Sequence, residues 1–249
     1  MNGSAVVTWL GQSSVRIRLG DANVLVDPFL SPHPDRLVPP PFAPEEARDF
    51  DVVLITHDHL DHLDDEALPG ILEASPKAVV VVPGEVVERV TGLGVDAGRV
   101  RGLNADENTQ IAGVTIDAVP ACHGVEIADA YRLGPFRGYV VSANGMRVYH
   151  AGDTIVFDGL VERLRELGVR LALLPINGRD PEREAQGLVG NMNEREAAQL
   201  AFDIGADAVI PMHWDMFASN PGDPAAFVTA ARTTAIVPQR LQPFVYTAP

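Results

Sequence analysis

Residues 52–63 read Val52-Val53-Leu54-Ile55-Thr56-His57-Asp58-His59-Leu60-Asp61-His62-Leu63. An apolar run of strand length ends where four side chains able to ligate a metal crowd together. The run from Val52 to Ile55 predicts a buried strand, which puts His57 at its carboxyl end. The turn after it can then fold His59, Asp61 and His62 around one or two cations. A solvated polar loop is the bland alternative, but little else in the chain is so hard to explain without a metal.

Upstream of this stretch, Val6 to Leu10, Ser14 to Leu19 and Asn23 to Asp27 are short β-rich runs. Gly11 and Gly20-Asp21 divide them, which predicts an antiparallel meander. Between the meander and the histidines lie Pro32, Pro34, Pro39, Pro40, Pro41 and Pro44. Proline is excluded from helix interiors and central strands, so 30–44 is expected to be an irregular cover, either a lid or a mere tether.

Downstream, strand runs are expected at 78–82, 114–119, 139–142, 147–150, 171–174 and 208–210. Helical spacing of apolar residues alternates with them at 64–74, 84–91, 157–167, 193–204 and 224–231. Two halves, each a strand set with helices, predict an α/β protein in which two sheets pack face to face and helices cover them outside. No composition break divides the chain, so one domain over 1–249 is expected. Gly92-Leu93-Gly94 with Gly98 has the wrong spacing for a dinucleotide fingerprint and no strand before it.

Composition limits what the site can serve. The 249 residues are 46% apolar, enough for a full core, and carry a formal charge of −15 without a basic stripe. Nucleic acid is therefore not an expected partner. The longest strongly apolar stretch, Ala78 to Val82, is far short of the ~20 residues that span a bilayer. The amino terminus shows no basic segment followed by a long apolar one, so neither a signal peptide nor a membrane helix is expected. Cys122 is the single cysteine, which excludes an intrachain disulfide and fits a cytoplasmic location.

Three more ligand types stand after strands: His123 beyond 114–119, Asp153 beyond 147–150 and His213 beyond 208–210. In layered α/β folds the loops at the carboxyl edge are where a site collects. Together with His57, His59, Asp61 and His62, these residues fill a pattern that resembles the metallo-β-lactamase superfamily. The resemblance implies an αββα four-layer sandwich of two mixed sheets. It also implies that His57, His59 and His123 hold one metal, that Asp61, His62 and His213 hold the other, and that Asp153 bridges them. Zinc is the first expectation, with manganese or iron as alternatives.

Within that superfamily the finer resemblance is to proteins similar to L-ascorbate-6-phosphate lactonase. It is carried by 56–63, Tyr149-His150-Ala151-Gly152-Asp153-Thr154, Pro175-Ile176-Asn177-Gly178-Arg179, Gly190-Asn191-Met192-Asn193 and Pro211-Met212-His213-Trp214-Asp215. It implies a hydrolase in which a metal-bridging hydroxide attacks a small ester or lactone, such as a phosphorylated sugar lactone. Asp61 would orient the nucleophile while ligating, and Asp58 would steer an imidazole or simply sit in a solvated turn.

For substrate binding the candidates are Asn177, Arg179 and Asn193. The fork of Arg179 suits a phosphate or carboxylate, while a surface pair with Asp180 or Glu182 is its structural alternative. Asn193 with Glu196 three residues on also reads as a capping box. His150 is expected to be a hydrogen-bonded core histidine, His33 a loop residue and Cys122 a buried hydrophobe. The expected partner is a small molecule, anionic if Arg179 clamps it, and a homo-oligomer is left open. A phosphodiesterase on the same site is the alternative within the scaffold. A non-hydrolytic redox or metal-binding protein is the alternative of another class, which His59 and the complete ligand set oppose.

Overall fold

Which faces of a strand are buried shows where it sits, and the strands here are of two kinds. Ser4–Gly11 (β1) and Ser14–Leu19 (β2) alternate buried with open positions, whereas Ala22–Val26 (β3), Val52–Leu54 (β4) and Val79–Pro83 (β5) are buried almost throughout. Alternation marks a sheet face left partly open; continuous Val and Leu mark central parallel strands covered on both faces. The computed structural model describes residues 3–124 and 131–249.

Two seven-stranded mixed sheets form the middle of the molecule. Val100–Leu103 (β6) and Phe244–Thr247 (β14) close the first, in the order β14-β1-β2-β3-β4-β5-β6. The second holds Asn108–Ile111 (β7), Val114–His123 (β8), Arg132–Ala143 (β9), Met146–His150 (β10), Leu171–Pro175 (β11), Ala208–Met212 (β12) and Thr234–Ala235 (β13). Its order is β13-β12-β11-β10-β9-β8-β7. Each sheet opens as an antiparallel meander and continues in parallel: β3, β4, β5 and β6 in one, β10, β11, β12 and β13 in the other. The two halves thus repeat a topology although the sequence shows no clear internal repeat.

Between the sheets, Val7 and Trp9 of β1 and Ile17 of β2 share one core with Ile116, Val141 and Val148 of the second sheet. Outside the first sheet, Ala67–Ala74 (α1) and Val87–Gly92 (α2) cover Val53, Val80 and Val82 through Leu68, Ile71 and Val90. Burying each such aliphatic side chain fully is worth about 1.5–3 kcal/mol. Leu160–Glu166 (α3), Pro181–Ala185 (α4), Glu194–Asp203 (α5) and Pro224–Ala230 (α6) follow, with α5 packed on β11 and β12. This is the expected αββα sandwich.

The proline-rich stretch is irregular and pinned. The Asp64 carboxylate accepts from the backbone N–H of Leu30 (2.9 Å) and Ser31 (2.7 Å) and from the Ser31 hydroxyl (2.6 Å). Arg36 lies over the Phe29 ring at 4.3 Å, and Leu37 N–H donates to Met216 O at 2.8 Å. The stretch also lends Asp35 to the lining of the cavity over the histidine cluster. Among the described residues no helix is long and apolar enough to cross a membrane.

Candidate metal centre

The carboxyl edges of the parallel strands put the ligand types within reach of one another. Past β4, Ile55 N–H still donates to Val81 O (2.9 Å), and the chain then leaves the sheet. His59 O accepts from the N–H of both His62 (3.0 Å) and Leu63 (2.8 Å), which closes the histidine turn, and buried Leu63 anchors it in the outer core. His123 ends β8, Asp153 follows β10 and His213 follows β12. His213 holds a left-handed backbone (φ 62°) that few residues other than glycine adopt, and its N–H donates to Gln12 O at 3.1 Å.

Two groups of donor atoms result, each within 4.8 Å: His57, His59, His123 and Asp153, and Asp61, His62 and His213. Asp153 faces both. Its Oδ1 lies 3.3 Å from His62 Nε2 and 3.2 Å from His213 Nε2, while its Oδ2 lies 3.6 Å from His123 Nε2. All seven residues predicted as ligands are therefore gathered at one place.

The donor set fits cations. His62 Nε2, His123 Nδ1, His123 Nε2 and Asp153 Oδ1 are buried and have no hydrogen-bond partner. A buried polar atom left unpaired costs about 1–3 kcal/mol, so such a cluster asks for a common partner. Ring orientation agrees. His62 Nδ1 donates to Asp27 Oδ2 (2.7 Å), and His57 Nδ1 faces the Thr56 hydroxyl (3.1 Å), which itself donates to Asp27 Oδ2 (2.7 Å). With a proton committed to Nδ1, each ring turns Nε2 inward, where a bound cation would stand in place of a second proton.

Charge follows the same division. Burial drives His57 well below its ordinary range and His123 down to about 4, toward the neutral form that ligates. Burial pulls His62 and His213 down too, but Asp153 and its neighbouring carboxylates outweigh it and hold His213 at about 9 and His62 well above its usual value. Burial would raise Asp61 and Asp153, yet His62 and His213 keep both below the usual carboxylate range.

The structure adds supports that the sequence did not reveal. Asp27, fully buried at the end of β3, accepts from Thr56 N–H (2.8 Å) as well as from His62 and the Thr56 hydroxyl. Gln12, in the turn between β1 and β2, donates from Nε2 to Asp61 Oδ2 (2.8 Å) and lies 3.2 Å from the His213 ring. Asp215 Oδ1 accepts from Gln12 N–H at 2.8 Å and holds that turn. Gly152 (φ +59°) brings the Asp153 loop so close that a Cβ on it would stand 2.7 Å from Thr56 Cβ. One signal was available for Asp27: like His57, it is a polar residue directly after a buried apolar strand.

Other expected roles fall elsewhere. Asp58 does not steer an imidazole; its carboxylate pairs with Arg89 at 3.2 Å in the surface turn. His150 is a core histidine whose Nε2 donates to Ser13 O (2.8 Å) and whose Nδ1 accepts from Gly152 N–H (3.2 Å). Cys122 is buried, and burial pushes its thiol up. His33 sits in the loop, edge-on to Phe217.

The three residues expected to bind substrate stand behind the cavity that opens on the cluster. A cavity of 310 Å³ opens on the cluster, lined by His59, Asp61, Asp153 and His213 below and by Asp35, Leu188, Val189, Phe217 and Asn220 around them. Arg179, Asn177 and Asn193 are not in that lining. Arg179 is held bidentately by Glu196 (2.6 and 2.8 Å) and donates to Asn191 O (3.0 Å), so its fork is already taken. Asp180 is unavailable to it because that carboxylate caps α4 and pairs with Arg183. Asn193 caps α5 in a box with Glu196, and Asn177 spends its side chain on Asn220 (2.9 Å) and Asn191 (3.1 Å). Their network supports the cavity wall from behind.

Comparison with known proteins agrees with this architecture. A family model described as a beta-lactamase superfamily domain matches residues 22–214. A metal-dependent hydrolase of Rubrobacter xylanophilus is 34% identical over 242 residues, covering 93% of this chain and 90% of that protein. One of Methanopyrus kandleri is 34% identical over 230 residues, covering 89% of each. Among solved structures, a metallo hydrolase from Ignicoccus hospitalis superposes with a TM-score of 0.75 at 24% identity, covering 98% of both chains.

Proposed function

The chain belongs to the metallo-β-lactamase superfamily, and from that premise we propose that it is a metal-dependent hydrolase that opens a small ester or lactone at a two-ion centre. The observation that carries the two-ion reading is Asp153, whose carboxylate oxygens turn toward separate imidazole groups at 3.2–3.6 Å. His57, His59 and His123 would hold one ion, Asp61, His62 and His213 the other, and Asp153 both. Zinc suits so many imidazoles, with manganese or iron as alternatives. When bound, such ions lower the pKa of water and polarise a carbonyl or phosphoryl oxygen.

The chain's own residues do the rest. Asp27 and Thr56 fix the tautomers of His62 and His57, and Gln12 aims Asp61 by hydrogen-bonding one of its oxygens. Asp61, partly open to the cavity, is the carboxylate placed to orient an attacking water by accepting its hydrogen bond. Leu188, Val189 and Phe217 exclude water from one side of the substrate.

None of the described residues lining the cavity is Lys or Arg. This favours an uncharged ester or lactone over a phosphorylated sugar lactone, whose phosphate lies away from the reacting carbonyl and would need a cation of its own. A screen of the metal-loaded protein across lactones, phosphate-bearing lactones, phosphodiesters and thioesters tests the reading, with elemental analysis expected to give close to two ions per chain. His59→Ala and Asp153→Ala are expected to abolish turnover with an unchanged circular dichroism spectrum. Full turnover in either variant would overturn the proposal.

A further inference from the structure

A second cavity, of 530 Å³, lies on the outer face of the first sheet, and no residue of the metal cluster lines it. It exists because helices cover only part of that sheet. The buried positions of β1 and β2 face the core, and Val6 and Thr8 point the other way, paired across the ladder with Arg18 and Arg16. Beside them, Phe42 of the proline-rich stretch, Phe50 just before β4 and Leu241 also line the cavity. Leu10 and Phe50 are buried, so the cavity has an apolar floor. Its volume lies within the roughly 300–1,000 Å³ of small-molecule sites.

The charge around this floor is out of character for the chain. Arg16, Arg18 and Arg48 all line it, three of only 19 cationic residues in a chain of formal charge −15. Arg16 is positioned, its Nε donating to Asn23 Oδ1 (2.8 Å) and its guanidinium 5.4 Å from the Phe50 ring centre. Among the described residues, no carboxylate stands within the 4.0 Å of an ion pair from Arg18 or Arg48. Among the described lining residues the one acid, Glu46, is engaged by its own turn, accepting from Ala43 N–H at 2.9 Å. Arginines without carboxylate partners on an apolar cleft, in a chain with 34 Asp and Glu, present a site complementary to an anion with an apolar body.

We propose that this cavity is a second binding site that takes a small amphipathic anion, a carboxylate on a medium-length alkyl chain, with the alkyl part on Leu10, Phe42 and Phe50 and the carboxylate between Arg18 and Arg48. The proposal does not depend on the hydrolase reading. Isothermal titration of the metal-loaded protein with octanoate tests it, alongside 1-octanol and octyltrimethylammonium. The expected result is saturable binding of one octanoate per chain, at least tenfold tighter than either comparison compound.

The double variant Arg18→Gln/Arg48→Gln, at two exposed positions, is expected to weaken octanoate at least tenfold, and Thr8→Trp, which fills the cavity, to remove binding. His59→Ala is expected to leave the affinity unchanged, separating this site from the metal centre. The proposal is overturned by no saturable binding, by equal affinity in the double variant, by equal binding of the alcohol or the ammonium, or by loss of binding in His59→Ala.

Discussion

Replacing Asp27 with Asn tests whether the buried carboxylate behind the cluster sets the metal affinity. Its oxygens accept three hydrogen bonds, from Thr56 N–H (2.8 Å), the Thr56 hydroxyl (2.7 Å) and His62 Nδ1 (2.7 Å). An amide of the same shape cannot accept all three. If its nitrogen takes the place of Oδ2, it donates to His62 Nδ1, which must then carry a lone pair, and the ring proton moves to Nε2, the atom that faces Asp153. If the amide turns over, its N–H meets the N–H of Thr56, and two donors collide in a dry pocket. Either conflict costs about 1–3 kcal/mol, and losing such a support commonly costs a metal site about 10–100-fold in affinity. At 1.36 kcal/mol per decade that is roughly 1.4–2.7 kcal/mol. The loss should fall on the ion held by Asp61, His62 and His213, because His57 is reached only through Thr56. Competition against a chromophoric chelator reads the two affinities separately, and circular dichroism reports whether the variant is folded. A folded Asp27→Asn protein that binds both ions within twofold of the parent would refute the reasoning.

Gln12→Ala removes the amide that bonds Asp61 at 2.8 Å and should weaken the same ion about tenfold while sparing the other; uniform weakening in the chelator assay would contradict it. Gly152→Ala forces a side chain into a left-handed backbone and against Thr56 Cβ at 2.7 Å. The combined penalty of about 2–4 kcal/mol should lower Tm by roughly 4–16 °C, and an unchanged melt would show that the loop yields. Glu196→Gln tests the Arg179 pair by pH. Burial would raise the Glu196 carboxyl, but Arg179 outweighs it and holds it below its ordinary 4.5. A depressed carboxyl stabilises the fold above its unfolded value and loses that contribution as pH falls through the folded one. The variant should be less stable by about 1 kcal/mol at pH 7, discounted for the pair's partial exposure, and the two denaturation midpoints should converge below pH 4.5. A gap constant with pH would assign the effect to the lost cap on Asn193 instead.

What could be read from the chain divides along physical lines. The ligands were legible because imidazoles and carboxylates stand directly after buried apolar runs, and the ends of parallel strands converge whatever the loops do. The central strands were legible because burial on both faces leaves them runs dominated by Val, Leu, Ile and Ala. The edge strands β7 and β14 escaped because a strand open on one side, such as Asn-Thr-Gln-Ile at 108–111, carries no strong apolar pattern. Asp27 escaped for another reason. It is one of 34 acidic residues, and its partner His62 is 35 positions away. The partner of Arg179 was not legible, because the structural alternative to an anion clamp looked only to its near neighbours Asp180 and Glu182. The helix that begins after Asp180 claims that residue as its cap, and the guanidinium reaches Glu196, 17 positions on.

The supports and the ligands together explain why so much charge is tolerated in one dry pocket. Asp27 and Asp153 are almost wholly buried, and Asp61 is mostly covered. In an apolar interior each would cost several kcal/mol unless paired. Asp27 meets that cost with three donors and so is satisfied by the protein alone. Asp61 keeps one bond to Gln12 and lies 3.4 Å from His213 Nε2, and Asp153 Oδ1 faces only the Nε2 atoms of His213 (3.2 Å) and His62 (3.3 Å). The carboxylates therefore run in a gradient, from one satisfied by fixed donors at the end of β3 to one countered only by imidazoles between the two groups. A purely structural polar network would satisfy every member, and this one leaves His62 Nε2, Asp153 Oδ1 and both nitrogens of His123 without hydrogen-bond partners. The same gradient makes metal removal a stability experiment. Stripping the ions should leave His62 and His213, held protonated by their carboxylates, as the remaining countercharge. A chelated protein that melts no earlier than the loaded one would mean that the protons serve as well as the cations, and that the centre is not built for metal.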